Sequence, residues 1–287
     1  MSDRLSVRKT YKLYLGGKFP RSESGRTYLV KTADGAPLAN AAQASRKDVR
    51  DAVAAARKAQ PGWAAATPYL RGQILYRMAE MLEGRRAQFI SEVKQARGGT
   101  IKSATAEVDT AIDRLVWYAG WPDKLAQVLG GANPVAGPYF NHSTPEPVGV
   151  VAVIAPGTSP LLGLISTVIP AVVSGNTVVV VAAERQPLPA ISFGEVLATS
   201  DVPSGVVNIL SGRVAELAPW LASHADVNHL DLTGVDTADL AADCERSAAQ
   251  TLKRVRRPAA EDWTADPSLD RLRSLVEIKT VWHPAGV

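Results

Sequence analysis

One cysteine, Cys244, in 287 residues excludes an internal disulfide framework and any zinc site built on several cysteines. The four histidines, His142, His224, His229 and His283, stand at unrelated spacings. Each reads as a surface or satisfied core side chain, and no metal is expected. Aromatic residues make up only 6% of the chain and form no platform among the basic residues, which argues against a nucleic-acid partner. Long apolar runs are missing as well. The best one, Val148 to Val181, is broken by Pro156, Gly157, Ser159, Pro160, Pro170, Gly175 and Asn176, so it falls short of the ~20 residues of a spanning helix. Met1 to Lys9 lacks the apolar stretch and cleavage site of a signal peptide, so a cytoplasmic location without membrane contact is expected. Neither sign of charge dominates, since 32 Lys plus Arg against 28 Asp plus Glu leave a net +4. The densest basic cluster, Lys253-Arg254-Val255-Arg256-Arg257, reads as a solvated face at the end of an element.

What remains is a globular chain, 46% hydrophobic, long enough for one large or two small domains. Tyr11, Leu13 and Leu15 alternate before Gly16-Gly17 as in a short strand, and a second strand-like piece spans Thr27 to Lys31. Ser45 opens a helix that presents Val49, Ala52, Val53 and Ala56 on one face and is expected to stop near Ala59, before Pro61 and Gly62. Helical spacing continues from Thr67 to Leu82, through Phe89 to Ala96, and from Ala104 to Ala119. Gly130 to Pro138 is turn-rich and reads as a loop or hairpin base.

The pattern then changes. Val148 to Ile154, Thr177 to Val181, Val206 to Leu210 and Val227 to Leu232 are short β-branched runs, separated by the helix-length segments Leu161 to Val173, Leu188 to Ala198 and Val214 to Ala222. This alternation predicts a parallel sheet covered on both faces, an α/β domain of Rossmann type. A polar helical stretch, a loop around Arg257 to Pro267, a short helix from Ser268 and a strand from Val276 to Trp282 complete the reading.

Several strings in this order resemble the aldehyde dehydrogenase superfamily. Thr110 to Lys124 is similar to the helix before that family's oligomerisation hairpin, and Gly137-Pro138-Tyr139-Phe140 with Glu146-Pro147-Val148-Gly149-Val150 to the hairpin and first sheet strand. Ile169-Pro170-Ala171, Gly175-Asn176-Thr177-Val178-Val179, Pro187-Leu188 and Gly205-Val206-Val207-Asn208-Ile209 extend the likeness, and Leu275 to Trp282 resembles the family's C-terminal strand. The resemblance implies two parts: residues 1–132 and 148–267 as an NAD-binding-type domain, and residues 133–147 and 268–287 as an oligomerisation hairpin and C-terminal strand.

The chain departs from the family at its working residues. Thr158, in Pro156-Gly157-Thr158-Ser159-Pro160, stands where the family's Pro-Trp-Asn-Phe-Pro loop has its oxyanion-donating Asn. Val181-Ala182-Ala183-Glu184 replaces a Lys-Pro-Ser-Glu run that grips a ribose, keeping only the glutamate. Gly212-Arg213-Val214-Ala215-Glu216 keeps one glycine of a glycine-rich turn, and Leu232-Thr233-Gly234-Val235-Asp236 loses the serine of Phe-Thr-Gly-Ser. The family's Glu-Leu-Gly-Gly general-base segment and its cysteine-bearing catalytic domain have no counterpart, since about 40 residues separate Asp236 from the end strand, too few for a domain.

The resemblance therefore implies vestigial cofactor-site positions at Thr158, Glu184, Gly212, Thr233 and Gly234, no catalytic residue, and no cofactor unless the family's NAD(P) site survives. Arg213, Glu216 and Asp236 are expected to fill the residual cleft. Cys244, flanked by Asp243 and Glu245, reads as an inert thiol. A hairpin and end strand that cross-pair between subunits would leave bare sheet edges in a monomer, so the leading expectation is a catalytically inactive assembly subunit. It would associate with itself or with a full-length aldehyde dehydrogenase. The alternatives are an active NAD(P)-dependent oxidoreductase that recruits Thr158, Thr233 or Cys244, and a non-catalytic nucleotide or metabolite sensor built on Glu184, Gly212 and Thr233.

Overall fold

The computed structural model describes residues 9–285, so Met1 to Arg8, most of the stretch read for a targeting signal, lies outside the described residues. Three short strands, β1 (Thr10–Tyr11), β2 (Thr27–Lys31) and β3 (Pro37–Ala42), form a sheet in the order β1-β3-β2. Period-two alternation in β2 buries Tyr28 and Val30 and exposes the residues between them.

Helix α1 (Arg46–Ala65) begins at Ser45, whose hydroxyl accepts from the Lys47 and Asp48 amides while Asp48 accepts from the Ser45 amide at 2.8 Å. Contrary to the sequence reading, Pro61 and Gly62 do not end it. Pro61 removes one amide donor, but Trp63 is buried two residues on, and its indole N–H donates to the Val172 carbonyl at 3.0 Å, pinning the last turn to the core. Helices α2 (Pro68–Glu83), α3 (Arg86–Arg97), α4 (Ile101–Ala119) and α5 (Leu125–Leu129) follow. Helix α4 starts earlier than its apolar period suggested, because Thr100 caps it by accepting from the Ser103 amide at 3.1 Å.

After strands β4 (Gly131–Asn133) and β5 (Tyr139–Pro147) come β6 (Val150–Ile154), α6 (Leu162–Val173), β7 (Thr177–Val181), α7 (Leu188–Ala198), β8 (Val207–Leu210), α8 (Val214–Ser223), β9 (His229–Asp231), α9 (Ala238–Ala249) and β10 (Arg254–Arg256). Strands β6 to β10 form one parallel sheet in the order β10-β9-β6-β7-β8. Every residue of β6 and β7 is buried, as a sheet covered on both faces requires. Val150, Ala152, Ile154, Val179 and Val181 belong to one core cluster with residues of α1, α8 and α9, while Val151, Val153, Val178 and Val180 join the cluster of α2, α4, α6 and α7.

The fifth strand corrects the reading of the basic cluster. Arg254 and Arg256 remain partly solvated, but they stand at alternate positions of an edge strand, level with His229 and Asp231 of β9, which the reading did not anticipate. Their charge hides the strand pattern and is tolerated because an edge position lets a long side chain reach out. Arg254 Nη1 donates to the Val276 carbonyl at 2.7 Å, and Arg256 pairs with Glu261 at 3.2 Å.

Helix α10 (Asp270–Ser274) leads into β11 (Val276–Pro284), which runs antiparallel to β5 in unbroken register from Val276 opposite Pro147 to Pro284 opposite Tyr139. With β4 they form a sheet ordered β11-β5-β4. The end strand thus finds its partner inside the same chain, and the bare edges that remain are the outer edge of β11 and, on the other side, that of β4 and the part of β5 that β4 leaves uncovered. Asn176 locks the junction: its side-chain carbonyl accepts from the Gly149 amide at 2.7 Å and its side-chain amide donates to the Leu275 carbonyl at 2.8 Å. One fully buried side chain therefore holds the entry to β6 and the entry to β11 together.

Candidate functional site

Strand order reverses beside β6, and the crevice outside the carboxyl ends of β6 and β9 is where an open parallel sheet takes its ligand. Thr158, Thr233 and Gly234 meet there, lining a cleft of about 570 Å³ together with Glu107 and residues 259–264. Gly234 donates its amide to the Ile154 carbonyl at 2.9 Å, and a side-chain carbon on it would collide with the Ala155 carbonyl. Glycine is required at that crossing because two backbones touch. The Thr233 amide donates to Asp231 at 2.9 Å and its hydroxyl donates to the same carboxylate. Thr158 accepts from the Trp263 indole N–H at 3.3 Å, so its hydroxyl oxygen faces the chain's own side chain.

Glu184 and Gly212 sit at the ends of β7 and β8, beside a second cleft of about 490 Å³ that Glu184 lines. Gly212 holds φ at +152°, with Ala44 and Leu217 atoms 3.2 Å from where a side-chain carbon would lie. Glu184 accepts from Arg213 Nη1 at 2.6 Å and from the Val214 amide at 3.0 Å. The five positions singled out in the sequence therefore form two groups, and Arg97 lines both clefts.

The crevice is not closed by the side chains that sequence pointed to. Arg213 turns to Glu184, Glu216 pairs with Arg26 at 2.6 Å, and Asp236 is exposed on the rim. The wall is built instead by the segment between β10 and α10, about which periodicity said only that it was a loop. Arg114, 7% exposed on α4, donates to the Trp263 and Ala265 carbonyls at 3.0 and 2.7 Å and to Ser166 at 3.1 Å. Arg271, equally buried on α10, pairs with Asp231 and, at 2.6 Å, with Glu261. Two buried guanidinium groups thus fasten this linker to the sheet.

Both helix N-termini nearest these positions already hold an anion. Glu107, from α4, accepts from the Leu161 and Leu162 amides at 3.2 and 3.4 Å, from Ser159 at 2.9 Å and from Arg97 at 2.8 Å. It occupies the start of α6, and Glu184 occupies the start of α8. A pyrophosphate needs such amides and their partial positive charge free, and would meet a carboxylate at each. Each of these helix starts is held by a carboxylate of the chain itself, and one of the two, Glu184, is the glutamate that the resemblance assigns to the ribose of a bound cofactor.

Cys244 is fully buried in the core cluster that contains Leu217, Leu221 and Leu230. Burial, reinforced by Asp243, pushes its thiol up to about 11, which suppresses the thiolate that a nucleophile needs. His229 departs from the reading of a satisfied histidine. It is buried, its Nδ1 has no partner, and burial pulls its pKa down to about 4 against the opposing pull of Asp231, with Arg254, Arg256 and Arg271 adding to the depression. Among the described residues, no helix is long and apolar enough to cross a membrane.

Comparison with known proteins places these features. The profile described as "Aldehyde dehydrogenase family" matches residues 19–257, ending where β10 gives way to the linker. An aldehyde dehydrogenase of Aspergillus niger is 34% identical over 77% of this chain and 44% of its own length. Aldehyde dehydrogenase family 2 member B4, mitochondrial, of Arabidopsis thaliana is 35% identical over 77% of this chain and 41% of its own. Among solved structures, an aldehyde dehydrogenase from Bacillus cereus in its NAD+ complex superposes with a TM-score of 0.81 at 26% identity, covering 86% of this chain and 50% of that one. An NAD-dependent aldehyde dehydrogenase from Sinorhizobium meliloti gives 0.81 at 27% identity, over 87% and 50%. The chain spans about half the length of the relatives it matches.

Proposed function

The chain belongs to the aldehyde dehydrogenase family, and from that premise we propose that it does not itself oxidise aldehydes but serves as an assembly subunit, of a homo-oligomer or of a full-length aldehyde dehydrogenase. The observation that carries this reading is the full burial of Cys244, the one cysteine of the chain, in the hydrophobic core. Oxidising an aldehyde through a thioester needs a thiolate, an oxyanion donor, a bound nicotinamide and a base. Cys244 is fully buried, and burial pushes its thiol up to about 11, which suppresses the thiolate. That weighs against this chemistry in the chain.

Assembly is supported by the other sheet. Strand β11 is an edge strand of nine residues. It leaves Ile278 and Trp282 about half exposed, with Tyr139 and Phe140 of β5 also open to solvent. Exposed apolar side chains beside an unpaired strand edge favour a partner. On this reading residues 1–132 and 148–267 form the cofactor-type domain, while 133–147 and 268–287 form the associating element, in a cytoplasmic protein.

The alternative occupant of the strand ends is NAD(P), which the Bacillus cereus structure holds. Two measurements separate the readings. Light scattering and native mass spectrometry of material co-purified from the source should show a fixed-ratio complex, with itself or with an aldehyde dehydrogenase. Thermal melts should be unmoved by millimolar NAD or NADP, whereas a ligand at 100 times its Kd adds about 2.7 kcal/mol. A monomer that is stabilised by NAD and reduces it with an aldehyde overturns the proposal.

A further inference from the structure

A cavity of about 120 Å³ lies under the linker, walled by residues of α4, α6, β10 and α10. Three guanidinium groups line it, those of Arg114, Arg256 and Arg271. Arg256 and Arg271 donate to the same Glu261 oxygen, at 3.2 and 2.6 Å, which sets them side by side, and Arg271 also pairs with Asp231. Arg114 has no carboxylate within ion-pair distance among the described residues. Only neutral acceptors answer it, the Ser166 hydroxyl and the Trp263 and Ala265 carbonyls, and a guanidinium carries more N–H donors than these three bonds use. The cluster therefore sets three cations against two carboxylates, with the unmatched one buried, and a buried cation without a counter-ion is unfavourable.

Tyr118 supplies a second, independent sign. It is 2% exposed and lines the same cavity, yet its hydroxyl makes no hydrogen bond among the described residues. Unlike the hydroxyl of Tyr28, it is not sealed from solvent, so what exposure the side chain keeps is at the cavity. Burial pushes its pKa up to about 12 against the pull of Arg114 and Arg271, which leaves it a donor at neutral pH. Donors that converge on a cavity with surplus positive charge suit an anion. Asp262 and Asp266 also line the cavity, but both are exposed, and Asp262 accepts from the Thr264 amide and hydroxyl at 2.9 and 2.7 Å. Water screens these two more than it screens the enclosed Arg114, and their charge disfavours an anion of higher valence.

We infer that this cavity binds a small inorganic monoanion, with chloride as the type, between the Arg114 guanidinium and the Tyr118 hydroxyl. The anion completes the charge balance under the linker, and the inference stands whether or not the chain is an assembly subunit.

Chloride NMR of the full chain tests it, with ionic strength held constant by a bulky sulfonate buffer anion. The protein should broaden the chloride line through a saturable site, bromide should compete for it, and sulfate should bind roughly tenfold more weakly or not at all. Tyr118→Phe should weaken chloride about tenfold, the worth of one hydrogen bond to an ion. It should leave the melting temperature in chloride-free buffer unchanged, because the hydroxyl has no partner within the chain to lose. Arg114→Gln should remove the saturable broadening; if that variant does not fold, Tyr118→Phe decides. The inference is overturned if no saturable broadening is found, if a folded Tyr118→Phe variant keeps the wild-type affinity, or if sulfate binds as tightly as chloride.

Discussion

Replacing Arg271 by methionine probes the attachment of the linker to the sheet. The guanidinium is buried, with its side chain 9% exposed, and it answers two carboxylates, Asp231 at 5% and Glu261 at 21%. It also donates to the Thr233 hydroxyl at 3.2 Å. Methionine keeps much of the volume but strands the buried Asp231 charge, and breaking a buried pair from one side costs about 3–5 kcal/mol. For a domain of this size that is a fall in melting temperature on the order of 10 °C. The double variant Arg271→Met, Asp231→Asn neutralises the buried pair together, leaves Glu261 to Arg256, and should recover part of the loss, because no buried charge is then left facing the methionine. Urea denaturation of the wild type and both variants gives the numbers. A single variant within about 1 kcal/mol of wild type would mean that the pair behaves as an exposed one, and the linker would then not be fastened as described.

Three other outcomes are expected of the same fold. His229, whose folded pKa lies near 4 against an ordinary 6.5, binds a proton in the unfolded chain before it does in the folded one. Stability should therefore decline by up to roughly 3 kcal/mol as pH falls from about 6.5 to 4, and a His229→Leu variant should lose that slope in urea melts taken across the range. Cys244 should resist iodoacetamide at neutral pH in the native protein and react readily in denaturant; rapid native labelling, read by mass spectrometry, would contradict its burial and its raised pKa of about 11. Gly234→Ala should cost about 1–3 kcal/mol in the same melts, because the added carbon meets the Ala155 carbonyl, and a neutral effect would show that the crossing can open.

Much of the architecture was legible because the sheet strands are buried on both faces and therefore written in β-branched residues: strand Thr177–Val181 begins and ends where the pattern put it, and so does the helix that follows it, Leu188–Ala198. What escaped was structure stabilised by charge or by distant contacts. Arg254 and Arg256 conceal a strand because two charged residues in three mask the β pattern, and the strand β9 that they pair with lies 25 positions earlier in the chain. Helix α1 passes Pro61 on the strength of Trp63 reaching Val172, more than a hundred residues away, which no local propensity records. At the candidate site, substitutions at family positions located the strand ends correctly, and Thr158, Thr233 and Gly234 do converge. They could not reveal Glu107 or Trp263, since a glutamate on a helix and a tryptophan in a loop carry no local sign of the backbone amides or hydroxyl that they will meet.

The pairing of β5 with β11 has a kinetic side. Ser143 and Thr280 touch across 137 positions of chain, so this pairing is strongly non-local. Such pairings form slowly, after the contacts that bring their ends together. Here those ends are presented by Asn176, which must first be seated in the parallel sheet before Gly149 and Leu275 can reach it. Through that interval β5 is a nine-residue strand paired only over the short length of β4, and the β11 of a neighbouring molecule fits it as well as its own. Refolding at high concentration should accordingly yield strand-exchanged dimers in proportion to encounter rate, with dilution restoring the closed chain.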